Sequence, residues 1–183
     1  AEIAPEIIPR HAWVPISKNI YPINLPEIKF GKDLDLLLLD CPARNLSLMP
    51  NGLAYVHNAL KKADIDYQTF DLDVIAYHRF HVHRLFDVGG EVVLSNGKEL
   101  PSDPWQAEHY DLWADKDVIR YFMPIIEECA AAIIEAKPKI LALSVQQCSE
   151  KFSAELVHLV KAALPNTIIL CGGFSCYSGG RSL

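Results

Sequence analysis

The first run of four apolar residues is Leu36-Leu37-Leu38-Leu39, bracketed by Asp35 and Asp40. A short continuous run of this kind is what a strand buried on both faces requires, so Leu34 to Asp40 predicts a first strand. After a loop from Cys41 to Pro50, apolar positions Leu53, Val56, Ala59 and Leu60 recur at helical spacing, with Asn51 placed to cap them. Tyr67 to Leu72, Ile140 to Ser144 and Thr167 to Cys171 predict three further strands. Between them, Asp117 to Ala136 predicts a helix capped by Asp115 or Asp117 and kinked or restarted at Pro124. Ser149 to Leu164 predicts another, with Phe152, Leu156, Leu159, Val160 and Ala163 as its inward stripe.

Two segments break this rhythm. Residues 1 to 32 carry Pro5, Pro9, Pro15, Pro22 and Pro26 among isolated apolar residues, which reads as an extended arm packed on the domain. Residues 74 to 115 hold a His-rich piece, the hairpin signal Ser95-Asn96-Gly97-Lys98 and the proline-rich Pro101 to Pro104, and read as an insertion. The remainder alternates strand and helix. That predicts one α/β domain over 33–183, a flavodoxin-like (Rossmann-like) doubly wound parallel sheet of order 2-1-3-4. The winding reverses between the first and third strands, so the crevice at their carboxyl ends is the expected ligand site. Such sheets usually carry a fifth strand, and the sequence stops before one, so the chain reads as truncated.

The chain has 183 residues, half of them apolar, enough for one core. A net charge of −6 with both signs interspersed leaves no basic stripe for phosphates, which argues against nucleic acid as a partner. No apolar run approaches the roughly 20 residues that span a bilayer. The acidic, proline-bearing start lacks the features of a secretory signal, so a cytoplasmic location is expected. The five cysteines, Cys41, Cys129, Cys148, Cys171 and Cys176, are odd in number and irregularly spaced, as in a reduced compartment.

No Gly-x-Gly-x-x-Gly follows the first strand and no Gly-Lys-Ser/Thr occurs, so dinucleotide and P-loop sites lack their phosphate cradle. Cys41-Pro42-Ala43-Arg44-Asn45-Leu46-Ser47 has a single serine, a poor phosphate loop for a flavin mononucleotide. Pro50-Asn51-Gly52-Leu53-Ala54-Tyr55, then Ala59-Leu60, then Phe70-Asp71-Leu72-Asp73, with Ser144-Val145-Gln146 and Cys171-Gly172-Gly173 at later strand ends, do form a set. The set resembles the N-terminal B12-binding domain of cobalamin-dependent radical S-adenosylmethionine enzymes, over about residues 33 to 180 without the insertion.

The resemblance implies a cobalamin held by Cys41, Pro42, Asn45, Leu46 and Met49 of the first loop, by Ser144, Val145 and Gln146, and by Gly172, Gly173 and Phe174. Gly172 and Gly173 would leave room for the nucleotide tail, and Ser144 would offer it a hydroxyl. Plainer readings stand beside these: the glycines end a strand, Ser144 caps a turn, and Leu46, Leu48 and Met49 fill the core. The wider cobalamin family places Asp-x-His-x-x-Gly after the first strand, whereas this chain has Asp40-Cys41-Pro42, so no histidine ligand is expected below the cobalt. His57, the nearest histidine, falls on a helix. His78, His81 and His83 raise a metal reading against that of a solvated insertion. Cys171 and Cys176 do not have the spacing of a radical cluster. A 4Fe-4S cluster and S-adenosylmethionine are therefore expected in a radical SAM domain in cis, outside these residues, in a methyltransferase or cyclase type of enzyme. Catalysis by this chain alone is not expected. The alternatives are a non-enzymatic flavodoxin-like interaction module and a flavin carrier.

Overall fold

In the computed structural model, which describes residues 27–44, 46, 50–173 and 176, the predicted strands form one sheet. Leu36–Asp40 is β1, Tyr67–Asp71 is β2, Ile140–Ser144 is β3 and Ile168–Gly172 is β4. All run parallel in the order β2-β1-β3-β4, that of the flavodoxin-like doubly wound class. The helices are α1 (Asn51–Leu60), α2 (Leu72–Val82, continued by a π-helical turn at His83–Asp87), α3 (Lys116–Ala136) and α4 (Glu150–Ala163).

Strand alternation divides the core in two. Leu37, Leu39, Leu141, Leu143 and Val145 face α2, α3 and α4 and meet Ile126, Ile133, Phe152 and Leu156 in the main cluster. Each such buried side chain contributes about 1.5–3 kcal/mol by leaving water. Leu36, Leu38, Tyr67, Ile140 and Ala142 face the other way, where α1 supplies Leu53 and Leu60. The cluster under α1 reaches Ile140 and Ala142 of β3, but no described element covers β4 on that side. Ile168 is 56% exposed and Leu170 48%.

The segment expected as an insertion, 74–115, opens as helix rather than as irregular chain. It is the start of the β2–β3 crossover: Asp71 caps α2 by accepting from Val74 N at 3.0 Å, and Leu72, Ile75, Ala76 and Phe80 are buried. His78, Arg79 and His81 among these apolar residues blur the helical period, which hid the helix from a pattern reading. The hairpin signal gives a tight turn with one antiparallel bridge, Val93 with Glu99, turning at Gly97 with φ +83°. Trp105 and the 3-10 helix Ala107–Ala114 then bring Trp113 against Phe122, ring centroids 4.9 Å apart.

Smaller corrections concern helix ends and faces. Pro50, not Asn51, precedes the first turn of α1, and Val56 and Ala59 are exposed. α3 continues through Pro124, with Asp115 as its cap. Glu150 starts α4 after a short 3-10 turn, Gln147–Ser149, and Ala163 is exposed rather than inward. Of the arm, the described end is held down: Ile28 is buried and Phe30 meets Phe70 edge-on at 5.0 Å. The earlier part of the arm lies outside the described residues.

Candidate functional site at the strand ends

Register pairing brings the last residues of the four strands into one row, Asp71, Asp40, Ser144 and Gly172. Partners in a parallel ladder point to the same face, here that of α1, and neighbouring strands lie about 4.8 Å apart. The row therefore presents two carboxylates, a hydroxyl and a bare backbone. The loops behind it touch, since the Cys148 thiol donates to the Ala43 carbonyl at 2.6 Å.

Two adjacent carboxylates at buried strand ends need a cation, and Arg44 supplies it. Its Nε donates to Asp40 Oδ2 at 2.8 Å and its Nη2 to Asp71 Oδ2. Its backbone N–H donates to Asp73 Oδ2 at 3.2 Å, and Trp105 Nε1 donates to Asp73 Oδ1 at 2.6 Å. Asp40, Asp73 and Arg44 are all buried. Burial pushes the Asp40 carboxyl up to about 6, against the pull of Arg44 and helped by Asp71, while the Ser144 hydroxyl bonds to it. Burial pushes Asp73 up to about 8, against the bond from Trp105 and the charge of Arg44. On Arg44 burial works against the charge, but Asp71, Asp73 and Asp40 together outweigh it and the pKa rises. The cluster thus ties β1, β2, α2 and the residue-105 loop together and fixes the Asp40 partner of Ser144.

Because Asp73 and Asp40 hold protons more tightly folded than unfolded, they stabilise the fold fully at low pH, and that contribution is lost as pH rises through about 6 and 8. His81 acts oppositely, since burial lowers its pKa and its contribution is lost on acidification. We expect the melting temperature to peak on the acid side of neutrality. Asp73 alone should cost about 2–3 kcal/mol between pH 6 and 9. Asp73→Asn, whatever its fixed cost, should flatten that alkaline decline; an unchanged slope would show that another group titrates.

The candidate residues separate on this geometry. Ser144 is half-buried in the row, and Gly172 ends it with open space where a Cβ would stand. Cys41 and Val145 do not line the crevice: both are fully buried on the opposite face. Burial pushes the Cys41 thiol up to about 12, leaving it unreactive. Pro42 is buried, Leu46 packs on the main core, and Gln146 is spent capping the turn before α4, its N–H bonded to Ser149 Oγ at 2.9 Å. Gly173 has φ +114°, and a Cβ there would run into the Val145 carbonyl, so the turn itself demands glycine. Asn45, Met49 and Phe174 lie outside the described residues.

His57 Nδ1 is 2.9 Å from Thr69 Oγ1, under α1 at β2. The His81 ring packs at a tilt of 55° against Tyr77, centroids 4.2 Å apart, and His83 Nδ1 is 3.1 Å from Asp87 Oδ2. Among the described residues no group of three His, Cys, Asp or Glu side chains is placed to hold a metal ion. Nor is any described helix long and apolar enough to cross a membrane. A cavity of about 340 Å³ lined by Phe80, Tyr121, Phe122, Arg79 and Glu128 lies between α2 and α3, away from the strand ends.

Fold and site together define a doubly wound α/β protein whose crevice offers a hydroxyl and an open glycine beside a neutralised acid cluster. Comparison with family models, curated proteins and solved structures finds no match for the chain.

Proposed function

We propose that the chain is a cobalamin-binding module that holds a corrinoid for chemistry carried out with a radical SAM domain. The observation that carries the reading is the open strip at the end of β4. A corrinoid's nucleotide tail needs a slot lined by small residues, and Gly172 leaves one beside Ala142 and Ser144, at β4, which no described element covers on the α1 face. Leu170 and Ile168 give the strip an apolar floor, and Ser144, oriented by Asp40, gives it one fixed polar contact. Bound cobalamin would supply the organometallic chemistry of cobalt. The residues of this chain bind, orient and shield: Ser144 and Gly172 on the tail, with Arg44 and the acid cluster keeping β1 and β2 in place beneath it. Among the described residues no histidine stands in the loop after β1, so the cobalt is expected to lack an imidazole from them.

Hydroxocobalamin retention in equilibrium dialysis tests the reading. The parent is expected to retain it, and Gly172→Val to lose at least about tenfold in affinity, a difference of about 1.4 kcal/mol, with its melting temperature preserved. A well-folded parent that retains none would sink the proposal. In the cob(II)alamin form, electron paramagnetic resonance is expected to show no axial nitrogen splitting that His57→Ala removes.

A further inference from the structure

The crossover from β2 to β3 carries two departures from regular α-helix, and both border the cavity between α2 and α3. At the end of α2 the chain winds into the π-helical turn His83–Asp87, closed by Val88 N on the His83 carbonyl at 3.1 Å. Such turns recur at functional sites. In α3, Pro124 stands inside the helix and has no N–H to offer the Arg120 carbonyl one turn earlier. His83 and Pro124 both line the cavity, whose volume of about 340 Å³ is at the small end of the range for small-molecule sites. The described part of the arm joins the domain elsewhere, at Gln68 and Phe70 of β2. Phe80 and Phe122, both buried, add aromatic walls. The Tyr121 ring stands edge-on to Phe122 at 5.0 Å, and the His83 ring centroid lies 6.1 Å from that of Tyr121. Rings set at such angles suit a further planar ring, packed by its face or its edge.

The charged groups of the lining are already matched. Both Nη atoms of Arg79 donate to the Glu128 carboxylate, one of them at 2.9 Å, and His83 Nδ1 lies 3.1 Å from Asp87 Oδ2. An ionic ligand would have to disturb one of these pairs, so the lining suits a neutral one. Tyr121 and His83 still offer polar atoms. The Tyr121 hydroxyl makes no hydrogen bond among the described residues, and burial together with the Asp87 charge pushes it up to about 12, so it keeps a proton to donate. With Nδ1 donating to Asp87, His83 Nε2 presents a lone pair. The first asks for an acceptor and the second for a donor. A phenolic hydroxyl is both. We infer that this cavity binds a neutral phenol of one or two rings, its ring against Phe80 and Phe122 and its hydroxyl accepting from Tyr121 and donating to His83 Nε2. The site lies away from the strand ends and does not rest on the cofactor reading.

Titration of the whole chain with para-cresol, followed by amide-resolved nuclear magnetic resonance, tests this. Saturable shifts are expected around Arg79 to His83 and Tyr121 to Glu128, with a dissociation constant on the order of 1 mM, in keeping with so small a ligand. Tyr121→Phe keeps the ring and removes a hydroxyl that has no partner in the described protein, so its melting temperature should equal the parent's. It should nevertheless bind para-cresol about fivefold more weakly, the worth of one hydrogen bond. Toluene, which has no hydroxyl, should bind parent and variant alike, and the anion para-toluate should bind the parent more weakly than para-cresol does. A folded parent with no saturable shift at these residues overturns the inference. So does para-cresol binding that Tyr121→Phe leaves unchanged, since apolar contact alone would then hold the ring. Para-toluate binding as tightly as para-cresol overturns it as well.

Discussion

Arg44→Met is expected to destabilise the fold by about 3–5 kcal/mol at pH 8, because it leaves Asp40, Asp71 and Asp73 together without their cation. The methionine stem can keep much of the packing, so the loss is one of charge and hydrogen bonds. Asp40 and Asp73 already hold their protons tightly, and acidification neutralises them further. The cost should therefore shrink at pH 5. Arg44→Lys should recover only part of it, since one ammonium cannot reproduce the separate Nε bond to Asp40 and Nη2 bond to Asp71. Urea unfolding at the two pH values measures this directly. An equal loss at pH 5 and pH 8 would mean that Arg44 acts by packing alone.

The cluster also shows where sequence reading reaches its limit. The strands were legible because Leu36 to Leu39 and Ile140 to Leu143 are apolar runs between polar breaks, and β3 matches its predicted bounds. Strand order followed from alternation and handedness. The ion network was not legible, because its members come from the β1 loop, the end of β2, the start of α2 and a tryptophan beyond the turn at Gly97. A signal was present all the same. Asp40 closes a buried strand and Asp71 a half-buried one, and in this strand order those ends are neighbours, so a basic residue close by was required; Arg44 is the first after β1.

The loop residues sort themselves by parity. Leu37, Leu39 and Cys41 share one side of β1 and its extension, as Leu141, Leu143 and Val145 do for β3, so Cys41 and Val145 were bound to enter the main core once those strands were placed. Ser144 and Gly172 have the opposite parity and reach the α1 face. A motif match treats Ser144 and Val145 alike; the two-residue repeat of a strand separates them.

The same contrast between neighbours gives the second large effect. Gly173→Ala is expected to lower stability by about 3 kcal/mol, the sum of a side chain at φ +114° and its collision with the backbone of Val145. The Val145 amide stands 3.0 Å from the would-be Cβ and is itself bonded to the Gly172 carbonyl at 2.6 Å, so it cannot withdraw without breaking the β3–β4 ladder. For a chain of this size that corresponds to a fall of about 6–12 °C in melting temperature. Gly172→Ala meets nothing within 4 Å and should melt within about 2 °C of the parent, since alanine in a strand costs less backbone entropy than glycine. Thermal unfolding of the two variants without any cofactor decides the matter. If both melt equally early, the space at Gly172 is filled in solution and the slot beside Ser144 is closed. If only Gly173→Ala melts early, Gly173 is a turn residue and Gly172 is left as the position whose substitution reads out binding.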